Sequence, residues 1–228
     1  ARMTGVLAGF GGILRRRDGL PAGDFAAGPG EAAGAGRGGD GASDLGCEGG
    51  RIIRTPNLDR MAAEGVRLTD FYASANICTP SRAGLMTGRY AIRHGLAHEV
   101  IQPNDDNGLP LDELTIPQVL KSQGYATALI GKWHLGHVAP FFPPTAYGFD
   151  EFHGLPYSHD MRPLAMYEGR GPDVVLTEDK VDFPKLTERF FAETLKFAGA
   201  HKDGPFAIIL ALTAPHTPLR PNPDGDGN

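Results

Sequence analysis

Thr187–Leu212, TERFFAETLKFAGAHKDGPFAIILAL, decides the fold. Over Thr187–Gly199 the residues Phe190, Phe191, Leu195, Phe197 and Ala198 recur at helical spacing and predict a helix with a broad apolar side. After the break at Gly204-Pro205, Phe206–Leu212 (FAIILAL) is apolar without interruption, as in a strand covered on both faces of a parallel sheet. The same pairing occurs upstream. Thr115-Ile116-Pro117 opens a helix that runs to Gln123, Gly124 closes it, and Tyr125–Ile130 (YATALI) reads as a second buried strand. Further back, Thr55 caps a helix with Pro56 in its first turn, an apolar stripe of Leu58, Met61 and Ala62, and Gly65 at its end. Val66–Tyr72 then alternates as a short strand would. This alternation predicts an α/β fold with a mainly parallel sheet flanked by helices.

The chain has 228 residues, enough for one large α/β domain or two small ones. Its net charge of −5 argues against a nucleic-acid-binding surface. No run of 18 apolar residues exists, so no transmembrane helix is expected. Sixteen of the 32 glycines lie in the first 50 residues, so residues 1–43 read as a low-complexity Gly/Ala-rich segment without stable order. Gly34, Gly36 and Gly39 fit G-x-G-x-x-G, but neither strand nor helix flanks them, and the match is compositional. Residues 44–228 form the remaining unit. Asp105-Asp106 sits in PNDDNG, a turn sequence, and reads as solvated loop.

In parallel α/β sheets the chemistry gathers just beyond the carboxyl ends of the strands. Gly131-Lys132-Trp133-His134 follows one predicted strand, and Pro215-His216-Thr217-Pro218 follows the other. The segment Cys78–Arg89 (CTPSRAGLMTGR) adds a thiol placed before a helix start, with Pro80 in the first turn and Ser81 and Arg82 beginning the helix. A helix amino terminus favours an anion, and Arg82 adds a fixed cation. The residues alone therefore describe an anion site holding a reactive side chain. Neither of the two cysteines belongs to a disulfide framework or a Cys-rich zinc site, and only Cys78 has a motif around it.

Cys78-Thr79-Pro80-Ser81-Arg82 followed by Thr87-Gly88-Arg89 resembles the signature of the sulfatases, whose fold is alkaline-phosphatase-like. GKWHLG at 131–136 is similar to the family's second signature. TPNLDR at 55–60, GLPYSHD at 154–160 and APHTPL at 214–219 are similar to arylsulfatase segments. The likeness runs from about Asp44 to Pro223 and marks the amino-terminal half of a catalytic domain, a truncated one.

The resemblance implies a sulfuric ester hydrolase of the arylsulfatase type, with Cys78 converted to formylglycine by the formylglycine-generating enzyme. One hydroxyl of the hydrated aldehyde would attack sulfur, and the other would then expel sulfate. Arg82 and Lys132 would neutralise oxygen charge. His134 would handle the hydroxyl proton, His216 would serve the leaving-group side, and Ser158 would contact sulfate together with Lys132 and His216. His159, beside Ser158, would line the same pocket.

The resemblance further implies Ca2+, held by the modified residue 78 and by acidic pairs. Here Gly38 and Gly39 align where two aspartates belong, and Asp40, after a one-residue shift, is the carboxylate left to that role. The expected substrate is a small sulfate ester or a sulfated glycan, and the expected compartment is secreted, lysosomal or periplasmic. Two other readings stand beside this one. The chain is an inactive fragment or pseudoenzyme that binds anions, or a related phosphate or phosphonate ester hydrolase, against which a cysteine at the nucleophile position argues.

Overall fold

The computed structural model describes residues 45–65, 73–214 and 216–218, together with the backbone of strands at 12–15 and 24–25. The expected strand at Val66–Tyr72, Asp40, and Gly38-Gly39 lie outside the described residues.

Three strands make the centre of the sheet: β3 (Ala126–Lys132), β4 (Glu151–Leu155) and β7 (Phe206–Ala211). β3 lies between the other two and pairs parallel with both, so all three carboxyl ends reach one edge. Every residue of β7 is buried, as its unbroken apolar sequence requires. Leu129 and Ile209 face one side, packing with Ala83 and Met86 of α2 (Cys78–Thr87) and with Ile116 and Leu120 of α3 (Ile116–Ser122). Ile130, Ile208 and Leu210 face the other, against Phe190 and Phe197 of α4 (Leu186–Ala200). The result is helix, sheet and helix in three layers, as the α/β reading expects.

Parallel pairing is confined to that centre. The full order is β2-β1-β7-β3-β4-β5-β6, with β1 at Gly12–Arg15, β2 at Asp24–Phe25, β5 at Met166–Arg170 and β6 at Asp173–Glu178. The β1–β2, β1–β7, β4–β5 and β5–β6 pairs are all antiparallel. The mainly parallel sheet expected from the sequence is thus a mixed one. The reason is the connections: β5 and β6 are joined through Gly171-Pro172, and β4 and β5 by a segment without a helix, both too short for a parallel crossover.

Two further expectations change. Residues 12–15 fall in the stretch expected to lack order, yet Gly12 and Ile13 pair with Leu210 and Ile209, and Leu14 and Arg15 with β2. The outer edge of β7 carries backbone groups that need partners, and β1 supplies them. In α4, Phe191 and Leu195 were expected on the buried side but are 44% and 71% exposed. Positions 190, 194 and 197 share the face on the sheet, and 191 and 195 are turned about 100° from it.

The other helices keep their expected ends. α1 (Pro56–Glu64) starts after Thr55 and closes at Gly65, although its Leu58, Met61 and Ala62 stripe is only partly covered. Thr55 does not cap its own helix. Its hydroxyl accepts the Gly46 N–H and donates to Asp59, which also accepts the Cys47 N–H, so both residues fasten the turn at 46–48 to α1. α3 opens with a capping box between Thr115 and Gln118.

Candidate active site

α2 begins at Cys78 itself, with Ile77 as its cap, one turn earlier than the sequence alone suggested. The first intrahelical bond runs from the Ser81 N–H to the Ile77 carbonyl. Pro80, which has no N–H to offer, therefore sits in the turn whose donors have no intrahelical acceptor. Cys78 rides on that amino terminus, buried at 8% exposure, where a helix presents partial positive charge.

Lys132, the last residue of β3, runs up to it. Its Nζ lies 3.1 Å from Cys78 Sγ and 3.2 Å from Ser158 Oγ, just past the end of β4. The parallel register makes this meeting possible, because Lys132 pairs with Leu155 and the chain then turns through Pro156 to Ser158. Arg82, one turn along α2, donates to the Lys132 carbonyl at 2.7 Å and holds the end of the strand against the helix. Lys132 thus meets residue 78 directly, with Ser158 on its ammonium and Arg82 on its carbonyl, all within the buried interior.

Gly131 explains how the strands come so close. It has φ +112, and a Cβ there would stand 2.0 Å from the Ala211 carbonyl oxygen of β7. On the other side, a Cβ on Gly154 would stand 1.8 Å from the Gly131 carbonyl oxygen. Only glycine fits at this register level, directly below the site.

His134 follows with a backbone φ of 64, in the left-handed region that non-glycine residues seldom occupy. Its N–H bonds the Pro156 carbonyl and its own carbonyl accepts from the Thr79 hydroxyl, which in turn accepts the Ile101 N–H. Nε2 lies 3.0 Å from the Ile101 carbonyl oxygen. Burial, then the charges of Lys132 and Arg82, push this imidazole well below its ordinary value, so it is neutral.

His216 stands at the end of the loop leaving β7. Its Nδ1 is 2.6 Å from the Thr217 carbonyl, so Nδ1 carries the hydrogen and Nε2 the lone pair. Its ring meets His159 edge to face, with centroids 5.3 Å apart. His159 is buried and stacks on Phe183 at 4.3 Å, and burial followed by the His216 charge lowers its titration. Asp160 completes this side. Burial would raise its carboxyl, but a hydrogen bond from Ser158 and the His216 and Lys132 charges outweigh that and hold it below the usual range.

The structure therefore brings Cys78, Arg82, Lys132, His134 and Ser158 together and sets His216 beside them through His159. Arg89, at the end of the CTPSR…TGR motif, instead pairs with the buried carboxylate of Glu113 at 2.5 Å. Thr79 and the Ile101 carbonyl, which orient His134, and Phe183, which seats His159, carry no local signal in the sequence. Asp105 accepts the Gln102 N–H in its turn, as a loop residue.

Calcium asks for six to eight oxygens. Among the described residues no group of three or more His, Cys, Asp or Glu side chains could hold a metal, and the side chain that meets Cys78 Sγ is the Lys132 ammonium, itself a cation. These residues do not fit a calcium site. Among the described residues, no helix is long and apolar enough to cross a membrane.

The sequence matches the Sulfatase family model over residues 30–225. It is 50% identical over 211 residues to arylsulfatase G of Canis lupus familiaris, aligning 77% of this chain with 38% of that protein. To arylsulfatase A of Bos taurus it is 42% identical over 202 residues, aligning 78% of this chain with 39% of the other. A solved sulfatase from Pseudoalteromonas sp., 30% identical, superposes with a TM-score of 0.72 over 80% of this chain and 43% of that one. The chain spans 38–39% of the length of the two arylsulfatases. With the family model matched over most of its length and a helix opening on Cys78 against the strand-end Lys132, this chain belongs to the sulfatase family.

Proposed function

We propose that this chain carries the nucleophile half of an arylsulfatase-type site that cleaves sulfate esters. The observation that carries the reading is Lys132 Nζ, held between Cys78 Sγ at 3.1 Å and Ser158 Oγ at 3.2 Å on a helix amino terminus. That arrangement offers positive charge to a tetrahedral oxyanion and sets it against residue 78. Residue 78 is assigned as the formylglycine, made from Cys78 by the formylglycine-generating enzyme, and the hydrated aldehyde supplies the attacking hydroxyl.

Around it, Lys132 and Ser158 orient the sulfate oxygens, and Arg82 both adds charge and holds Lys132 in place. His134, neutral and donating through Nε2, keeps Nδ1 to accept the hydroxyl proton. His216, its Nδ1 engaged by the Thr217 carbonyl, serves the departing alcohol through Nε2. The proposed substrates are sulfate esters of small alcohols or of sulfated sugars, and residues 44–228 are the proposed part of the catalytic domain. No step is routed through calcium, because the described residues do not form its cage.

The test is a chromogenic aryl sulfate assay after co-expression with the maturation enzyme, with Cys78→Ala as control. Turnover by the parent chain and none by the variant supports the reading. Equal rates leave an anion-binding chain without activity. Mass spectrometry of the residue-78 peptide, expected about 18 Da lighter than its cysteine form, reads the modification separately.

A further inference from the structure

We propose that the unconverted Cys78 is a modification site, at which mild oxidation by a peroxide joins its sulfur to Lys132 nitrogen in a sulfenamide. The two atoms stand 3.1 Å apart with nothing between them, and both side chains are buried. Ser158 fixes Nζ from its other side, and Arg82 fixes the Lys132 backbone, so the pair is preorganised for bond formation. The usual route from a sulfenic acid is a second thiol. Cys47, the other cysteine of the chain, sits on the Gly46–Glu48 turn fastened to α1 by Asp59. The nucleophile in contact with Cys78 is an amine instead.

The step balances. Sulfur attacks the peroxide, an S–O bond forms, the O–O bond breaks and one water leaves. Lys132 nitrogen then attacks sulfur, the S–N bond forms and the S–O bond breaks. The proton that nitrogen sheds turns the departing hydroxide into a second water. In sum, thiol, amine and hydrogen peroxide give sulfenamide and two waters. Sulfur is oxidised to the sulfenyl level and the peroxide is reduced. The same sum holds for a thiolate–ammonium pair, so no outside base is needed. A thiol reductant reopens the bond, and Cys78 is spared the irreversible sulfinic and sulfonic steps.

This inference is independent of the aldehyde reading, since a converted residue 78 has no sulfur to oxidise. The experiment uses the chain expressed without the maturation enzyme, treated with hydrogen peroxide and digested for mass spectrometry. Expected is a cross-linked pair of peptides carrying Cys78 and Lys132, about 2 Da lighter than their sum and released by dithiothreitol. In Lys132→Met the link is absent and Cys78 advances to sulfinic acid. Because that variant can fail to fold, wild-type chain oxidised in urea is the second control, and there the link disappears. Folded wild-type chain giving sulfinic Cys78 with Lys132 free overturns the proposal. So does an oxygen-bridged pair, about 14 Da heavier, or a link formed equally in urea.

Discussion

His134 Nε2 lies 3.0 Å from the Ile101 carbonyl oxygen, and that contact decides which ring nitrogen is basic. A carbonyl only accepts, so Nε2 carries the hydrogen and Nδ1 holds the lone pair. The Thr79 hydroxyl bridges the Ile101 N–H and the His134 carbonyl, locking both ends of the relationship. Helix α2 thereby supplies both Cys78, the proposed nucleophile, and, one residue later, the hydroxyl that orients His134, its proposed base.

His134→Ala should lower kcat by about 10²-fold or more with little change in KM, as expected on losing a general base. The base works only when neutral, and its titration lies well below 6.5. The acid limb of the pH–rate profile should therefore fall below pH 6.5. Steady-state rates from pH 4.5 to 8 check this, and a limb centred at or above 6.5 contradicts the assignment.

Lys132→Met should reduce kcat by about 10²–10³-fold, the usual cost of removing one charge-stabilising donor. Isothermal titration with inorganic sulfate gives an independent reading, since the variant should also bind the anion more weakly. Unchanged affinity and rate would remove Lys132 from the site.

Stability should fall on mild acidification. His94, His134, His153 and His159 all titrate below their ordinary value in the folded chain, burial being the largest cause for each. Below about pH 6.5 the unfolded chain takes up protons that the folded chain refuses, so stability is full above that pH and declines beneath it until the folded values are passed. Urea denaturation at pH 7.5 and 5.5 measures the difference, and equal midpoints would show that these histidines are not protected.

Gly154→Ala should abolish cooperative folding or cost more than about 3 kcal/mol, because the new methyl meets the Gly131 carbonyl and neither strand can withdraw without breaking the ladder. Circular dichroism on thermal unfolding is the readout. A variant that melts like the parent would mean the three strands do not approach as described.

Thr115→Ala should cost about 1–2 kcal/mol, since the hydroxyl serves the α3 capping box and also donates to the Tyr147 carbonyl at 2.6 Å. Chemical denaturation with an unchanged m-value would report a pure stability loss.

Much of the centre was legible from local pattern. Phe206–Ala211 is apolar throughout and Ala126–Ile130 is so except for Thr127, because both faces are covered, and Thr115, Gly65 and Gly124 mark helix ends by backbone chemistry that acts within a turn. The β5–β6 hairpin was not read, because Val175 and Leu176 are exposed and give no alternation of buried and polar positions. In α4 the sequence shows a wide apolar surface but not which part of it meets the sheet, so Phe191 and Leu195 were misplaced until β3 and β7 fixed the contact face.

By itself the sequence determined the chemical identities at the site: a cysteine ahead of a helix start, an arginine one turn on, and a lysine and two histidines just past apolar strands. Those follow from residue type and spacing along the chain. Only the tertiary structure decided their meeting. Cys78 and Lys132 are 54 residues apart in sequence, and their 3.1 Å contact depends on β3 lying parallel between β4 and β7, on two glycines that let the strands close, and on Arg82 pinning strand to helix. Such contacts depend on long-range pairing, whose register no local propensity encodes.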